Sequence, residues 1–321
     1  MKTQREYIPI NPDNRTHIDA IVEIWNSSCE SSLMISPRLV EFNLRPSTDG
    51  ATFGQLVFAE ARAVGFVVGS AIRNGQVAPP SVGWVDAIAV TPSSQRQGLG
   101  SSLLQWAEMQ LRQHGCTTFT VGASLRPFVP GLPTTLYTQG FFQFHGYHSE
   151  RTVWDVAANL ALYQSPETVR PIDGLVRPAQ PGEEADLLHF LAREFPGRWH
   201  FACQEMLHEP QTRFSDYMVL WTERGIDGFC QLTFEDSHRP IERYYPYPLP
   251  RRWGQLGPIG VSADRRGRGY GAALLDAGLR RLHNNGVNGC IIDWTTHLAL
   301  YGKFGFEPYR EYQQFLKQVN Q

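Results

Sequence analysis

The spacing of apolar positions predicts a helix followed by an antiparallel group of strands. Ile18, Ile21, Val22 and Trp25 recur at helical spacing in the first such segment. Three runs rich in Val, Ile and Phe follow, GQLVFAE, AVGFVVGSAI and VGWVDAIAV, and the turn-forming residues between them indicate an antiparallel meander. The amphipathic run SSLLQWAEMQLRQHG then predicts a helix that ends at Gly115, and TTFTVGA predicts a strand after it.

The second half of the chain repeats this order of elements. GLVRPA and GEEADLLHFLAREF predict a strand and a helix, YMVLWTE and DGFCQLTFE a pair of strands, and GQLGPIGV a further strand. GAALLDAGLRRLHNNG then predicts a helix and GCIIDWT a strand. Such a repeat indicates duplication of a whole α+β domain, and 321 residues exceed what one hydrophobic core usually serves. The proline-bounded polar stretch SPETVRPIDG separates the copies, so we expect domains at 1–164 and 174–321.

A glycine-containing turn opens the amphipathic helix of each copy. A strand ending in IAV or IGV runs into the pattern Q/R-x-x-G-x-G, and its central residues, Gly98 and Gly269, lie 171 residues apart. The free N–H groups at a helix start carry a partial positive charge, and glycines let an anion approach the backbone. Such a turn could also simply join a strand to a helix. Two aligned copies favour a site for a pyrophosphate.

Two common phosphate-binding motifs do not fit this turn. A Walker loop needs Lys after its last glycine, where Ser101 and Ala272 stand here. A Rossmann fingerprint belongs to a parallel βαβ unit, whereas this turn follows an antiparallel meander.

The segments QRQGLG (Gln95–Gly100) and RGRGYG (Arg266–Gly271) resemble the acetyl-CoA loop of the GNAT superfamily of N-acetyltransferases. The order of elements matches that family in both halves, so the resemblance covers nearly the whole chain. It implies two tandem α+β domains, each a largely antiparallel, splayed sheet flanked by helices. It also implies acetyl-CoA as the cofactor, with its pantetheine arm along the end of the fourth strand and its pyrophosphate on the turn.

The resemblance identifies two sets of cofactor-binding residues. In the first half these are Ile88, Ala89, Val90, Gln95, Arg96, Gln97, Gly98, Leu99, Gly100 and Ser101, and in the second half Ile259, Gly260, Val261, Arg266, Gly267, Arg268, Gly269, Tyr270, Gly271 and Ala272. We expect Arg96, Arg266 and Arg268 to add side-chain charge to the anion site. Leu99 and Tyr270 contribute backbone amides alone.

The segment LALYGKFGFEPYREY is similar to a terminal pattern of the family, in which a tyrosine protonates the departing thiolate. Tyr301, four residues before Gly305, matches that tyrosine. A phenol with an ordinary pKa near 10 stays protonated at neutral pH and can still donate to a thiolate. The alternative is a core tyrosine on an amphipathic helix, beside Leu298 and Leu300.

The first half departs from this pattern. One alignment places Phe142 four residues before Gly146, and a phenyl ring has no proton to donate. The other places Tyr137 three residues before Gly140, where the helical phase is wrong by about 100°. We therefore expect the second half to be the catalytic one.

The general base is less sharply indicated. Asp293, near the end of CIIDWT, could accept the amine proton directly or through water, or it could cap the sheet or pair with an arginine. His297 and Glu235 are weaker candidates. Relatives often carry an acidic residue on the fourth strand, where the first half has Asp86, and Trp294 stands where they commonly have an asparagine.

Composition narrows the partners. A formal net charge of −2 argues against general nucleic-acid binding, so we expect a small-molecule or peptide amine as acceptor. Five scattered cysteines without a CxxC pair indicate reduced thiols and no metal site, and no run is apolar enough to span a membrane. The sequence thus predicts a cytoplasmic N-acetyltransferase, monomeric or homodimeric.

Two points stay open at this stage. A non-catalytic protein that binds or senses acyl-CoA is the main alternative function, and a nucleotide-binding protein ranks below it. The irregular segment from Asp236 to Trp253 either packs on its own aromatic residues or forms a wall of the acceptor pocket.

Overall fold

The computed structural model describes residues 4–47, 49–73, 75–242, 245 and 247–319. Its contacts divide the chain into unit 1, Met1–Val153 with Glu311–Gln321, and unit 2, Trp154–Arg310. The end of the chain therefore belongs to the first unit. The predicted domains at 1–164 and 174–321 follow the sequence repeat, and their boundaries stay a prediction.

Thirteen strands and eight helices are named here within the described residues. In chain order they are β1 (Arg5–Pro9), α1 (Arg15–Ser28), α2 (Pro37–Leu44), β2 (Gly50–Ala59), β3 (Arg62–Ile72), β4 (Val82–Val90), α3 (Leu99–Gln113), β5 (Thr118–Val121), β6 (Leu132–Pro133), α4 (Gln139–Phe144), β7 (His148–Asn159), β8 (Leu175–Pro178), α5 (Glu184–Glu194), α6 (Arg198–Leu207), β9 (Tyr217–Thr222), β10 (Gly225–Phe234), β11 (Trp253–Val261), α7 (Tyr270–Asn284), β12 (Gly289–Thr295), α8 (Leu298–Gly302) and β13 (Glu307–Gln318).

Each unit contains a mixed sheet with the same plan. In unit 1 the strand order is β1-β2-β3-β4-β5-β13, and in unit 2 it is β7-β12-β11-β10-β9-β8. The central pairs, β4 with β5 and β11 with β12, are parallel, and the remaining pairs described within each unit are antiparallel. The predicted α+β class with two tandem copies is confirmed.

The amphipathic helix of each copy covers one face of its sheet. In unit 1, Leu103, Leu104 and Leu111 of α3 are fully buried in one cluster with Val67 and Val85. Each such leucine stabilises the fold by about 1.5–3 kcal/mol relative to an exposed one.

In unit 2 the helix α7 has the same role. Leu274, Leu275 and Leu282 pack with Cys230 and Leu256 of the sheet. The opposite face of this sheet packs against α5 and α6 in a separate cluster. The periodicity that predicted these helices is therefore the periodicity of their buried faces.

Within the described residues, none of the helices combines the length and apolar character that crossing a membrane would require.

Candidate functional site

The parallel strands at the centre of each sheet separate before they end. In unit 2, pairing of β11 with β12 runs from Trp253 to Gln255, while β11 continues to Val261. In unit 1, pairing of β4 with β5 ends at Val85, and β4 continues to Val90. Among the described strands, no partner pairs with the far part of that edge, so each sheet has a splayed gap.

Backbone groups along these gaps include the predicted pantetheine-binding segments. Ile259–Val261 pairs with β10 on one side, and Ile88–Val90 pairs likewise with β3. The other side of each segment faces the gap. In unit 1, however, the Val90 carbonyl accepts hydrogen bonds from Gln95 Nε2 (2.9 Å) and Ser28 Oγ (3.0 Å).

Both glycine turns adopt one backbone conformation. Gly98 and Gly269 precede their helices with φ of 81° and 89°, a left-handed conformation that glycine adopts without strain. Arg96 and Gly267 also have positive φ, 61° and 73°. The two turns therefore match in shape although the residue at this position differs.

The turns present a row of free donors. Among the described residues, the backbone N–H groups of 267–272 and of 96–101 donate to no protein acceptor, and the first bond beyond them runs from Ala273 N to Gly269 O (3.0 Å). Six such amides at a helix start form a concentrated anion site. Leu99 and Tyr270 bury their side chains below this row, at 2% and 6% exposure.

The first residue of each motif binds the strand that precedes it. Arg266 donates from Nε to the Val261 carbonyl over 3.4 Å, as Gln95 does to Val90 in the other copy. Gln and Arg share a nitrogen donor at similar reach, which explains why both occur here. The Arg266 Nε is thus engaged with protein, and the exposed Arg268 extends into solvent beside the turn.

A buried carboxylate supports the turn of unit 2. Asp227 is fully buried and accepts from Ser262 Oγ (2.7 Å) and Arg224 Nη2 (2.9 Å), while its backbone carbonyl accepts from Ser262 N (2.9 Å). Burial alone would raise the pKa of Asp227, but hydrogen bonds from Thr222, Ser262 and Arg224 outweigh it and lower the pKa. The corresponding residue of unit 1 is Val64, so this support is particular to unit 2.

Tyr301 lies on the short helix α8, next to the end of β12. Its side chain is 6% exposed and belongs to the α7 core cluster. Burial and the nearby charge of Asp293 raise the pKa of Tyr301 to about 12, against a smaller opposing effect of a hydrogen bond with Thr295. The phenol is therefore a weaker acid than the sequence suggested, and it stays protonated at neutral pH.

Asp293 follows the last paired residues of β12 and faces the gap. Its Oδ1 accepts from Gln255 Nε2 over 2.9 Å. The same Nε2 donates to the Gly257 carbonyl (3.1 Å), and Gln255 Oε1 accepts from Thr233 Oγ1 (2.9 Å). Gln255 and Thr233 are fully buried, so this chain of bonds fixes the orientation of the Asp293 carboxylate.

The backbone turns sharply directly after Asp293. Trp294 has a positive φ of 52°, and its N–H donates to Asp155 Oδ1 over 3.1 Å. Asp155 is fully buried and forms an ion pair with Arg310 (3.4 Å), and the guanidinium of Arg198 lies 4.1 Å from the Trp294 ring centroid. Sequence reasoning missed Gln255 and Asp155; each interrupts an apolar strand, which is the signal that could have indicated them.

The first copy resolves its two possible alignments. The amide of Tyr147 donates to the Phe142 carbonyl (3.0 Å), as the amide of Phe306 donates to that of Tyr301 (3.2 Å). Phe142 is buried, whereas Tyr137 is 87% exposed. Phe142 therefore occupies the position of Tyr301.

The irregular segment from Asp236 to Trp253 packs mainly on itself, and its residues 243, 244 and 246 lie outside the described part. Tyr245 and Tyr247 stack on Trp253, with centroids 4.4 and 5.5 Å away. Arg239 reaches back toward the gap and donates to the Gly257 carbonyl (3.0 Å).

The weaker base candidates lie outside this arrangement. Glu235 accepts from Trp253 N (3.1 Å) and lines a cavity of ≈ 420 Å³ together with Arg281 and Asn285, at the end of α7 farthest from the glycine turn. His297 begins α8, and its backbone N–H donates to Thr295 Oγ1 (2.9 Å).

Comparison of the sequence with known proteins identifies relatives of one kind. A model of the acetyltransferase (GNAT) family matches residues 18–126 and 185–306. A mycothiol acetyltransferase of Catenulispora acidiphila is 24% identical over 231 residues, 68% of each chain. Another, of Geodermatophilus obscurus, is 26% identical over 285 residues, 85% of each chain.

Solved structures show the same fold. A GCN5-related glucosamine N-acetyltransferase region of a fungal multi-domain β-N-acetylglucosaminidase superposes with a TM-score of 0.86 at 21% identity, over 98% of this chain and 38% of that longer one. A tandem GNAT protein from the clavulanic acid biosynthesis pathway superposes with a TM-score of 0.69 at 14% identity, over 99% of each chain.

Proposed function

Because this chain belongs to the GNAT family of acetyltransferases, we propose that unit 2 carries its active site and transfers an acetyl group from acetyl-CoA directly to a primary amine. One observation carries this proposal. The free edge of β11, the six unpartnered amides of the turn, Tyr301 and Asp293 meet around a single splayed gap.

The residues present fit the donor. Acetyl-CoA supplies the acetyl group as a thioester, which an amine can attack. Residues 267–272 would hold its pyrophosphate through their N–H groups, and Arg268 would add a positive charge. The gap-facing side of Ile259–Val261 would pair with the pantetheine amides as a further strand would.

The two candidate proton-transfer groups influence each other. Asp293, oriented by Gln255, accepts a proton from the amine at its carboxylate, and Tyr301 donates from its hydroxyl to the departing thiolate. The charge of Asp293 helps to raise the pKa of Tyr301. Once Asp293 is protonated that charge is gone, so the phenol becomes a stronger acid when the thiolate needs a proton.

The relatives suggest an acceptor for the first assays. Two mycothiol acetyltransferases align with at least two thirds of this chain, so we propose that the acceptor resembles the amine that those enzymes acetylate. The acceptor would approach from the α5–α6 side of the sheet, the side on which Gln255 and Arg239 contact Gly257.

Unit 1 differs at the two positions that matter for transfer. Phe142 replaces the phenol, and the Val90 carbonyl already accepts two side-chain bonds. We therefore propose that unit 1 binds acyl-CoA on its free turn amides without transferring the acetyl group.

Replacement of Tyr301 by Phe tests the proposal. We expect kcat for acetyl transfer to fall by about 10²-fold while the Kd for acetyl-CoA changes less than about 2-fold, because the hydroxyl acts on the leaving group. Tyr163→Phe is the matched control, since Tyr163 packs against the same core and donates to Asp276 (2.9 Å) away from the gap. Equal kcat for Tyr301→Phe and Tyr163→Phe would refute the assignment of Tyr301.

A further inference from the structure

Unit 1 has a carboxylate of its own at its splayed gap. Asp86 is the first residue of β4 beyond Val85, where pairing with β5 ends, and it is 5% exposed. Counting 171 residues onward from Asp86 leads to Gly257. The carboxylate of unit 2, Asp293, stands instead on the neighbouring strand.

The strand registers make the two gaps comparable. Trp84 is paired with Thr120 in unit 1 as Gln255 is paired with Ile291 in unit 2, each 171 residues apart. Gly122 of unit 1 thus corresponds to Asp293.

Gly122 and Gly257 show which side chain each position accepts. A Cβ atom at Gly122 would lie 2.6 Å from the Val129 carbonyl, so that position in unit 1 excludes a side chain. A Cβ atom at Gly257 would lie 3.4 Å from Asp293 Oδ1, so a side chain there would point at the Asp293 carboxylate. Asp86 therefore brings a carboxylate to the corresponding place from the opposite strand.

The surroundings of Asp86 form a small cavity with two unused polar atoms. Asp86 and Asn43 both line this cavity, whose volume is ≈ 30 Å³. Among the described residues, Asp86 Oδ1 and Asn43 Nδ2 have no hydrogen-bond partner, although Asn43 is 8% exposed. A buried acceptor and a buried donor left open side by side are unfavourable unless something binds both.

We propose that this cavity of unit 1 binds the head of a small amino alcohol, whose ammonium donates to Asp86 Oδ1 and whose hydroxyl oxygen accepts from Asn43 Nδ2. The volume suits about two small polar groups, and the hydroxyls of Ser70 and Ser124, which bind Asp86, complete the polar lining. A divalent cation fits less well, because no group of three His, Cys, Asp or Glu side chains that could hold a metal occurs in the described part.

This site goes beyond the proposed function, which places no ligand at Asp86. Phe142 has no proton to donate at this gap, so unit 1 would bind the amine without acetylating it. The bound compound would then act as a second ligand of the enzyme, separate from the acceptor in unit 2.

Binding of ethanolamine to the full chain tests the inference. Titrations up to about 50 mM suit ligands of this size, and about pH 8 keeps the amine protonated. They are made in an Asp293→Asn background, which removes the carboxylate of unit 2. We expect ethanolamine to bind at least about 10-fold more weakly when Asp86→Asn is added, because a charged hydrogen bond is lost.

Asn43→Leu and n-propylamine provide the matched comparison. We expect ethanolamine to bind more tightly than n-propylamine, which has the same number of heavy atoms and no hydroxyl, and we expect Asn43→Leu to abolish that preference. Because Asn43→Leu leaves the carboxylate in place, this test is independent of whether Asp86→Asn folds; urea unfolding checks both variants.

The outcomes separate this inference from the proposed function. No ethanolamine binding, or binding that is equal with and without Asp86, would mean that water alone occupies the cavity and would overturn the inference. Loss of binding with Asp293→Asn alone would place the amine in unit 2, which also overturns it while favouring the proposed function. Binding that depends on Asp86 in a protein that transfers no acetyl group would uphold the inference and refute the proposed function.

Discussion

Gln255 Nε2 donates to Asp293 Oδ1 over 2.9 Å at the point where β11 and β12 separate. Because Gln255 is fully buried and also bonded to Thr233 and to the Gly257 carbonyl, its amide cannot turn without breaking three bonds. The carboxylate proposed to receive the amine proton is thus held by the sheet itself, one residue before the chain turns at Trp294.

Replacing Gln255 by Met should release Asp293 from this orientation. We expect kcat to fall by about 10-fold and the Kd for acetyl-CoA to stay within about 2-fold, since positioning groups act on the reacting geometry. Unfolding free energy should fall by about 1–3 kcal/mol because buried polar groups lose their partner. Thr233→Val is the control one bond farther away. A Gln255→Met enzyme with the kcat of Thr233→Val would show that Asp293 needs no such support.

The turn of unit 2 offers a test of backbone shape. Gly269 has a φ of 89°, where an alanine is strained by about 1–2 kcal/mol, so Gly269→Ala should rearrange the turn and weaken acetyl-CoA binding by at least about 10-fold. Gly271→Ala is matched in bulk, with open space around its Cβ and no positive φ, and should weaken binding less. Isothermal titration measures both. Equal losses would mean that bulk near the anion, rather than backbone conformation, governs binding.

The buried carboxyl of unit 1 should make stability depend on pH. Burial raises the pKa of Asp86 from its ordinary 3.8 to about 7, against opposing hydrogen bonds from Ser124 and Ser70. Between these values the folded state holds a proton that the unfolded state has released, so stability falls as pH rises from about 4 to 7. Asp86→Asn should therefore be more stable than the wild type by up to about 4 kcal/mol above pH 7, and about equal to it below pH 4.

Urea unfolding across this pH range measures the effect. An Asp86→Asn stability difference that does not change with pH would contradict the raised pKa of Asp86.

The buried pair of Asp155 and Arg310 should be expensive to break. Asp155→Asn leaves the guanidinium of Arg310 buried without its charge partner, and we expect a loss of about 3–5 kcal/mol. Asp19→Asn is the control, because Asp19 pairs with Arg15 on the exposed face of α1 and should cost less than about 1 kcal/mol. Similar unfolding midpoints for the two variants would show that the buried pair contributes little.

Local patterns were sufficient for much of this protein. The helical spacing in SSLLQWAEMQLRQHG and the strand runs before it predicted α3 and the meander of β2, β3 and β4, because each element must bury one face. The glycine turns were equally visible, since residues such as Gly98 and Gly269 answer a purely local need for positive φ. The repeat then indicated two copies of one fold.

Long-range contacts decided the rest. The chain sequence alone does not show that Glu311–Gln318 joins unit 1, because strand pairing depends on partners far away in sequence. Nor does it show that Gln255 orients Asp293, or that Asp86 reaches its gap from the opposite strand to Asp293, since these relationships depend on where parallel strands part. The sequence determined the elements, the repeat and the anion-binding turns through local geometry; the tertiary structure decided which side chains share each gap, because their distances are set by packing across the sheet.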